Sequence, residues 1–208
     1  MSRPSNNTNQ ALLNAGRKLL PKYGVSGLTL RMVATKAKVN LGMFNYYFKN
    51  KNDFMAQLLQ EIYEDFFLKL KMDIAKEKSP LTNLTDVLFV LGQWIRDNRE
   101  LVFSLMKDVL NGDKTVIRYV QKNFHRHLFM INDLINDAKK CHEIKNTHNY
   151  NIIPPLMAST AIIPMLAEVF KRQLGFSILP IPGKLVEDIL CDQAIKERIN
   201  CLIKGFHQ

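Results

Sequence analysis

Apolar residues recur along nearly the whole chain at spacings of three and four, the period of a helix, and nothing reads as strand-rich. Ala11, Leu12, Ala15, Leu19 and Leu20 define an opening helix from about Thr8. Tyr23-Gly24 stops it, since Gly24 can take the left-handed conformation that closes a helix, and Pro21 bends its last turn. Thr29 reads as the N-cap of a short second helix through Ala37. A third runs from Val39-Asn40 to about Phe48. Asn50 caps a long fourth, with Phe54, Leu58, Ile62, Phe66 and Leu70 at every fourth position. Beyond Ser79-Pro80, the spacing of Leu84, Leu88, Leu91 and Ile95 predicts another helix. Leu101 to Leu110 predicts a shorter one closed by Asn111-Gly112. Val116, Val120, Phe124, Leu128, Ile131 and Ile135 predict a long one, followed by a polar loop from His142 to Asn151. A helix opening near Pro154-Pro155 runs toward Gly175 with a kink at Pro164. After a turn at Leu179 to Gly183, the last helix carries Leu185, Ile189, Ile199 and Ile203. The class is all-α.

Charge changes the picture only once it is located. The 208 residues carry a net charge of +10. Residues 1–52 hold nine basic side chains (Arg3, Arg17, Lys18, Lys22, Arg31, Lys36, Lys38, Lys49 and Lys51) and no acidic one; the first carboxylate is Asp53. The rest of the chain is nearly neutral, with 19 acidic residues against the remaining basic ones. One quarter of the sequence thus owns the excess charge, which points to a polyanion: nucleic acid or an anionic membrane surface. The shift falls near residue 52 and divides the chain into domains 1–52 and 53–208, with the fourth helix running through the boundary and joining them rigidly.

Residues 28–48 read as two short helices joined by a tight turn. Leu30, Val33 and Ala34 face the core, Val39 plugs the turn, and Phe44 and Phe48 pack beneath the second helix. Met43, Asn45, Tyr46 and Tyr47 do not fit on that buried face, and Gly42 lets a backbone approach closely. This is the logic of a helix-turn-helix, whose second helix enters a groove while its flanks grip phosphates.

These residues resemble the tetracycline-repressor (TetR) family of bacterial transcriptional regulators. The likeness covers about Leu12 to Leu59: the Leu-Leu-Asn-Ala opening, Tyr23-Gly24, Thr29 through Ala37, and the run from Asn40 to Lys51. Its Tyr-Tyr-Phe-Lys-Asn-Lys end is the most specific part. The resemblance implies a three-helix DNA-binding domain joined to a helical ligand-binding and dimerisation domain. It implies phosphate contacts from Thr29, Tyr46, Tyr47, Lys49 and Lys51, aided by amides opening the fourth helix, and groove contacts from Asn40, Leu41, Gly42, Met43 and Asn45. Two departures matter. Lys38 stands where the turn usually has glycine, and Leu41 where a basic residue is common. No Lys or Arg lies between Val39 and Phe48, so guanine recognition by a cation is unavailable from that helix itself. Asparagine with adenine and apolar contact with thymine methyls remain, which biases the half-site toward A·T pairs.

In the C-terminal half, Trp94, Phe103, Met106, Phe129 and Met130 are candidates for an effector cavity, because Met and aromatic residues suit adaptable pockets. The last two helices show broad apolar faces. By resemblance they form a four-helix interface with a two-fold mate, with Leu166, Val169, Phe170, Ile189, Ala194, Ile199 and Leu202 as its candidates. The partners implied are an operator duplex, a second copy of the chain and an unidentified small molecule. The reading is a repressor that binds a palindromic operator as a dimer and is released by that molecule.

Other chemistries lack their residues. No Gly-rich phosphate loop, Gly-x-Ser-x-Gly or zinc signature occurs, so neither an enzyme nor a cofactor is expected. His125 and His127, two apart on a helix, point about 200° apart and cannot share a metal ion. Cys141, Cys191 and Cys201 have no metal-type spacing and suit reduced thiols. The longest apolar stretch, Ile152 to Ala167, is broken by prolines and falls short of the roughly 20 residues a bilayer span needs. A cytoplasmic protein with no membrane partner is expected.

Overall fold

The computed structural model describes residues 6–72, 74, 77–175 and 189–206, and every element of regular structure among them is a helix. These are α1 (Asn6–Gly27), α2 (Leu30–Ala37), α3 (Leu41–Tyr47), α4 (Lys51–Met72), α5 (Pro80–Asp97), α6 (Arg99–Leu110), α7 (Lys114–Lys140), α8 (Asn149–Met157), a π turn (Ala158–Ile162), α9 (Ile163–Leu174) and α10 (Asp192–Phe206). Arg3, Leu185 and the turn expected at Leu179 to Gly183 lie outside the described residues. The chain forms two compact units: residues 1–65 with 100–124, and residues 66–99 with 125–208.

In the first unit, the long regular part of α1 breaks at Gly24 as expected, but not through a left-handed cap. The backbone there has φ 67 and ψ 179, positive but not left-handed helical, so the chain sidesteps and begins a fresh helical turn. Gly24 donates nothing to that turn but accepts from the Leu28 amide at 3.2 Å. The new turn has no local capping side chain. Asp108 of α6 caps it instead: its carboxylate accepts the Val25 amide at 2.7 Å and the Ser26 hydroxyl, and it is only 3% exposed. A side chain at position 24 would meet Asp108 and Ser104 at 2.9 Å, so glycine is required here by both space and φ. Beneath α3, the rings of Phe44, Phe48 and Phe54 pack at centroid distances of 4.9 to 5.1 Å, all fully buried.

The inward face of α7 is more polar than its apolar spacing predicts. Phe124 points outward at 49% exposure, whereas Asn123 and His127 are buried. Asn123 can be buried because its amide is satisfied: it exchanges hydrogen bonds with the Gln60 amide at 3.2 and 3.3 Å and donates to the Tyr119 carbonyl. His127 lies edge-on to Phe66, which in turn packs on Trp94 at 4.4 Å. His125 is exposed, so the two histidines do diverge.

In the second unit, helix begins earlier than the prolines suggested. Asn149 donates to Asn132 and Asn136, one turn apart on α7, at 2.7 and 2.8 Å, and this anchors the first residue of α8. Pro154 and Pro155 therefore lie inside α8 rather than at its start. As prolines they offer no amide to the carbonyls of Tyr150 and Asn151, four residues before them. The chain loosens into the π turn, and the Ser159 and Thr160 hydroxyls bond back to the carbonyls of Pro155 and Leu156. Arg198 of α10 donates to the carbonyls of Ser159 (2.9 Å), Thr160 (3.2 Å) and Ile189 (2.6 Å). The Thr160 carbonyl is the one Pro164, four residues on, cannot serve. Because the prolines do not end the helix, Asn149–Lys171 is long and apolar enough to cross a membrane by length and composition, although 53% of its most apolar window is buried within the protein. Gly92 of α5 admits both this segment and α10 closely, since a Cβ there would lie 3.0 Å from Thr160 and 2.7 Å from Ile195.

Two stability predictions follow from these buried polar groups. Asp108→Ala strands the Val25 amide and the Ser26 hydroxyl and should cost about 2–4 kcal/mol in urea unfolding, while Ser26→Ala should cost about 1 kcal/mol; equal small losses from both would mean the cap does not carry the turn. Burial, helped by nearby His125, lowers the His127 imidazole from 6.5 to about 4. The unfolded chain therefore takes up this proton first as pH falls. Stability should be complete above about pH 6.5 and decline by roughly 3 kcal/mol through the window down to about pH 4. Unfolding measured across that window should show a shallower pH slope for His127→Phe.

Candidate nucleic-acid interface

The segment from Thr29 to Asp53 is shaped by three consecutive helix caps. Thr29 is extended, and its hydroxyl accepts from the Met32 amide at 3.3 Å to open α2. At the other end Lys38 adopts φ 57 and ψ 39, and the amide of Val39 reaches back to the Ala34 carbonyl at 3.0 Å, the closing bond of a Schellman motif. The turn thus tolerates a side chain in a conformation that favours glycine. Asn40 opens α3 by accepting the Gly42 amide at 2.8 Å. Asn50 opens α4 by accepting the Asp53 amide at 2.9 Å, while the Asp53 carboxylate takes the Lys49 amide at 3.1 Å.

This capping fixes which residues face outward. Leu41, Gly42, Asn45 and Tyr46 are exposed and lie on one side of α3, opposite the buried Phe44. Tyr46 is the most open, at 69%, and its ring stands edge-on to that of Tyr47 at 5.3 Å. Thr29, Asn40 and Lys49 are exposed at the flanks. Met43, Tyr47 and Lys51 are half-buried, so Met43 reaches outward less than its place in the sequence suggested. The Lys51 ammonium donates to the Ser26 carbonyl at 3.0 Å, in the turn that Asp108 caps, which leaves two of its three N–H donors for another anion. Asn50 already occupies one amide at the start of α4, and the Asp53 carboxylate beside it adds negative charge, which reduces that terminus as an anion site. Arg31, Lys36 and Lys38 are exposed on the same segment and extend its positive surface. Sequence reading passed over them because it followed the family motif.

The other candidate sets fare less evenly. Trp94, Phe129 and Met130 belong to the second unit, and Phe103 and Met106, half-buried on α6, to the first. Phe129 is 62% exposed against His125, on the surface rather than in an interior cavity. A groove of about 670 Å³ in the first unit is polar, lined by Gln10, Asn14, Arg17, Gln57, Gln60, Glu61, Glu64 and Asp65, with Arg17 paired to Asp65 at 2.7 Å and Glu61 at 3.4 Å. None of the five aromatic and methionine candidates lines it. Among the dimer candidates, Val169 and Ile199 are core residues, 2% and 0% exposed, because the helices that carry them turn those faces into their own unit. Leu166, Ala194, Ile189 and Leu202 are half-buried and Phe170 is exposed. Phe170 forms a stripe on α9 with Ile163 and Leu174, both more than half exposed, a spacing of seven and four that the sequence carried but that also suits a core face. Among the described residues, no group of three or more His, Cys, Asp or Glu is placed to hold a metal ion.

Comparison with known proteins agrees with this geometry. The family model for bacterial regulatory proteins of the tetR family matches residues 12–58, which span α1 to the first half of α4. The chain is 25% identical over 141 residues to the "Probable HTH-type transcriptional regulator YttP" of Bacillus subtilis, covering 65% of this chain and 67% of that one. It is 32% identical over 92 residues to the HTH-type transcriptional repressor NicS of Pseudomonas putida, covering 43% of this chain and only 42% of NicS. Among solved structures, the regulator FadR of Bacillus subtilis in complex with stearoyl-CoA superposes with a TM-score of 0.72 at 16% identity, covering 95% of this chain and 99% of FadR. That likeness concerns the fold.

The left-handed Lys38 yields a direct test. Lys38→Gly removes a steric cost of about 1 kcal/mol and should raise the melting temperature by roughly 2–4 °C. An unchanged or lowered melting temperature would show that the turn is unstrained.

Proposed function

Since the chain belongs to the TetR family of bacterial regulatory proteins, we propose that it is a ligand-responsive repressor that binds a palindromic operator as a homodimer and is released by a small molecule. Regulators of this family are not enzymes, and the chain acts by binding. The observation that carries the reading is the capped, outward face of α3 set in a segment without a carboxylate before Asp53. In this reading residues 1–52 are the DNA-binding domain and residues 53–208 the effector and dimerisation domain, working in the cytoplasm. Thr29, Tyr46, Tyr47, Lys49 and Lys51 hold phosphates. Leu41, Gly42 and Asn45 meet base edges, with Asn40 and Met43 beside them.

The exposed stripe of Ile163, Phe170 and Leu174, with Leu166 and with Ala194 and Leu202 of α10, is the surface a second copy would cover. Two copies related by a two-fold axis would place their α3 helices one DNA turn, or a multiple, apart. Trp94 is the best-supported effector contact. It packs on Phe66, and Phe66 shares α4 with Lys51, so a molecule that displaces Trp94 acts on the helix that ends at the phosphate-binding lysine. FadR, similar in fold, holds stearoyl-CoA, which supports a small-molecule effector. For release, the effector must bind the state that does not bind DNA more tightly; equal affinity for both states shifts nothing.

Footprinting on DNA upstream of the gene tests this reading. Two protected half-sites related by a two-fold axis are expected. Lys51→Ala should weaken binding to all sequences alike and lower the slope of affinity against salt by about one. Failure to bind any duplex at low ionic strength, or equal binding to anionic vesicles, would overturn it.

A further inference from the structure

The outward face of α3 is uncharged. Leu41, Gly42, Asn45 and Tyr46 fall within about 140° around the helix axis, and no Lys or Arg lies between Val39 and Phe48. Affinity for phosphates must then come from the flanks, and base choice from an aliphatic side chain, a bare backbone, an amide and a phenol. Two asparagines are available, and the structure separates them. Asn40 has its carbonyl oxygen turned to the Gly42 amide at 2.8 Å, so its NH2 is the group it turns outward, as a donor. Asn45 is exposed and makes no hydrogen bond among the described residues, so both its donor and its acceptor are open.

We propose that Asn45 is the base-reading residue of this protein, pairing through Oδ1 and Nδ2 with N6–H and N7 of an adenine, with Leu41 packed on a neighbouring thymine methyl, so that the half-site under α3 is A·T-rich. In the major groove adenine presents one donor and one acceptor, which a free amide matches atom for atom. Guanine presents two acceptors, N7 and O6, which call for the paired donors of an Arg or the ammonium of a Lys, and α3 has neither. Asn40, turned outward as a donor, suits either purine and discriminates little. Gly42 stands beside Asn45 on the exposed face and has no side chain to hold α3 off the base edges. Leu41 is 39% exposed and offers its branched end where a methyl group can pack. Tyr46, at the margin of the face, is better placed for the phosphate rail.

The inference rests on α3 being the DNA-reading helix, and the experiment separates the two. Duplexes are selected from a random pool with the full-length protein. On the selected site, 7-deazaadenine then replaces each adenine in turn, removing N7, and deoxyuridine replaces each thymidine, removing the methyl. At one adenine, 7-deazaadenine should weaken the wild-type complex about tenfold or more and leave Asn45→Ala unaffected. Deoxyuridine at one position should weaken the wild type a few-fold and leave Leu41→Ala unaffected. Both substituted residues are exposed, so the variants keep the core intact. Enrichment of G·C-rich half-sites, binding without base preference, or an Asn45→Ala variant as sensitive to 7-deazaadenine as the wild type would each overturn the assignment while leaving DNA binding standing. No retention of any duplex at low ionic strength would instead remove the DNA-binding reading beneath it.

Discussion

The first unit depends on one buried carboxylate. After Gly24 the chain needs a new helical turn to deliver Leu28 to the core and Thr29 to the start of α2, and nothing local caps that turn. Asp108, more than eighty residues away on α6, supplies the acceptor for the Val25 amide and the Ser26 hydroxyl. Ser26 in turn accepts from Lys51 at the start of α4. One short segment is thereby held from both sides: from α6 through its amide and hydroxyl, and from α4 through its carbonyl. The orientation of α2 and α3 follows from where that segment is pinned, because α2 begins only three residues later. The outward face of α3, proposed to read bases, needs such a fixed root.

The second unit solves a related problem by different means. Three prolines in α8 and α9 remove amide donors, and the carbonyl that Pro164 leaves unserved, that of Thr160, is met by the Arg198 guanidinium. Among the described residues Arg198 finds three carbonyls and no carboxylate. Burial pulls its proton affinity down, yet an arginine remains charged at any ordinary pH. Removing this guanidinium would expose unmet carbonyls in a segment already short of donors, so Arg198 holds the bend in place rather than serving as a ligand for an anion.

How much of this was legible in the sequence depends on the range of the interaction. Caps and core spacing are local, and Thr29, Asn50 and the Phe54-to-Leu70 series were readable from their neighbours alone. The pairing of Gly24 with Asp108 was not, because an aspartate in α6 looks like any surface acid until its partner is known. Phe124 was expected on the apolar face, but Asn123 takes the buried place beside it through a reciprocal amide pair with Gln60, and that pair spans 63 positions. The prolines suggested a helix start where the anchoring of Asn149 by two α7 asparagines had already begun one. Among the candidate surface residues, Val169 and Ile199 fell into the core because an apolar face at helical spacing does not reveal which neighbour covers it. The outward face of α3 was readable, since its neighbours in sequence are also its neighbours in space. The division of labour between Asn40 and Asn45 required the cap geometry.

The neutral face of α3 has a consequence for how affinity and selectivity divide. Phosphate contacts are charged, act through counterion release and weaken steeply with salt, while amide and methyl contacts to bases carry no net charge. In a protein whose reading helix holds an Arg or Lys, the two overlap, and added salt erodes some base discrimination along with affinity. Here every cation of the segment sits on α2, in the connections on either side of α3 or at the start of α4, outside the face proposed to meet the bases. Salt should therefore act on the flanks alone, lowering affinity for cognate and random duplexes in parallel while their ratio holds. The separation follows from the placement of residues already fixed by Asn40, Thr29 and Asn50 as caps, because those three decide which side chains of the segment face outward and which hold it together.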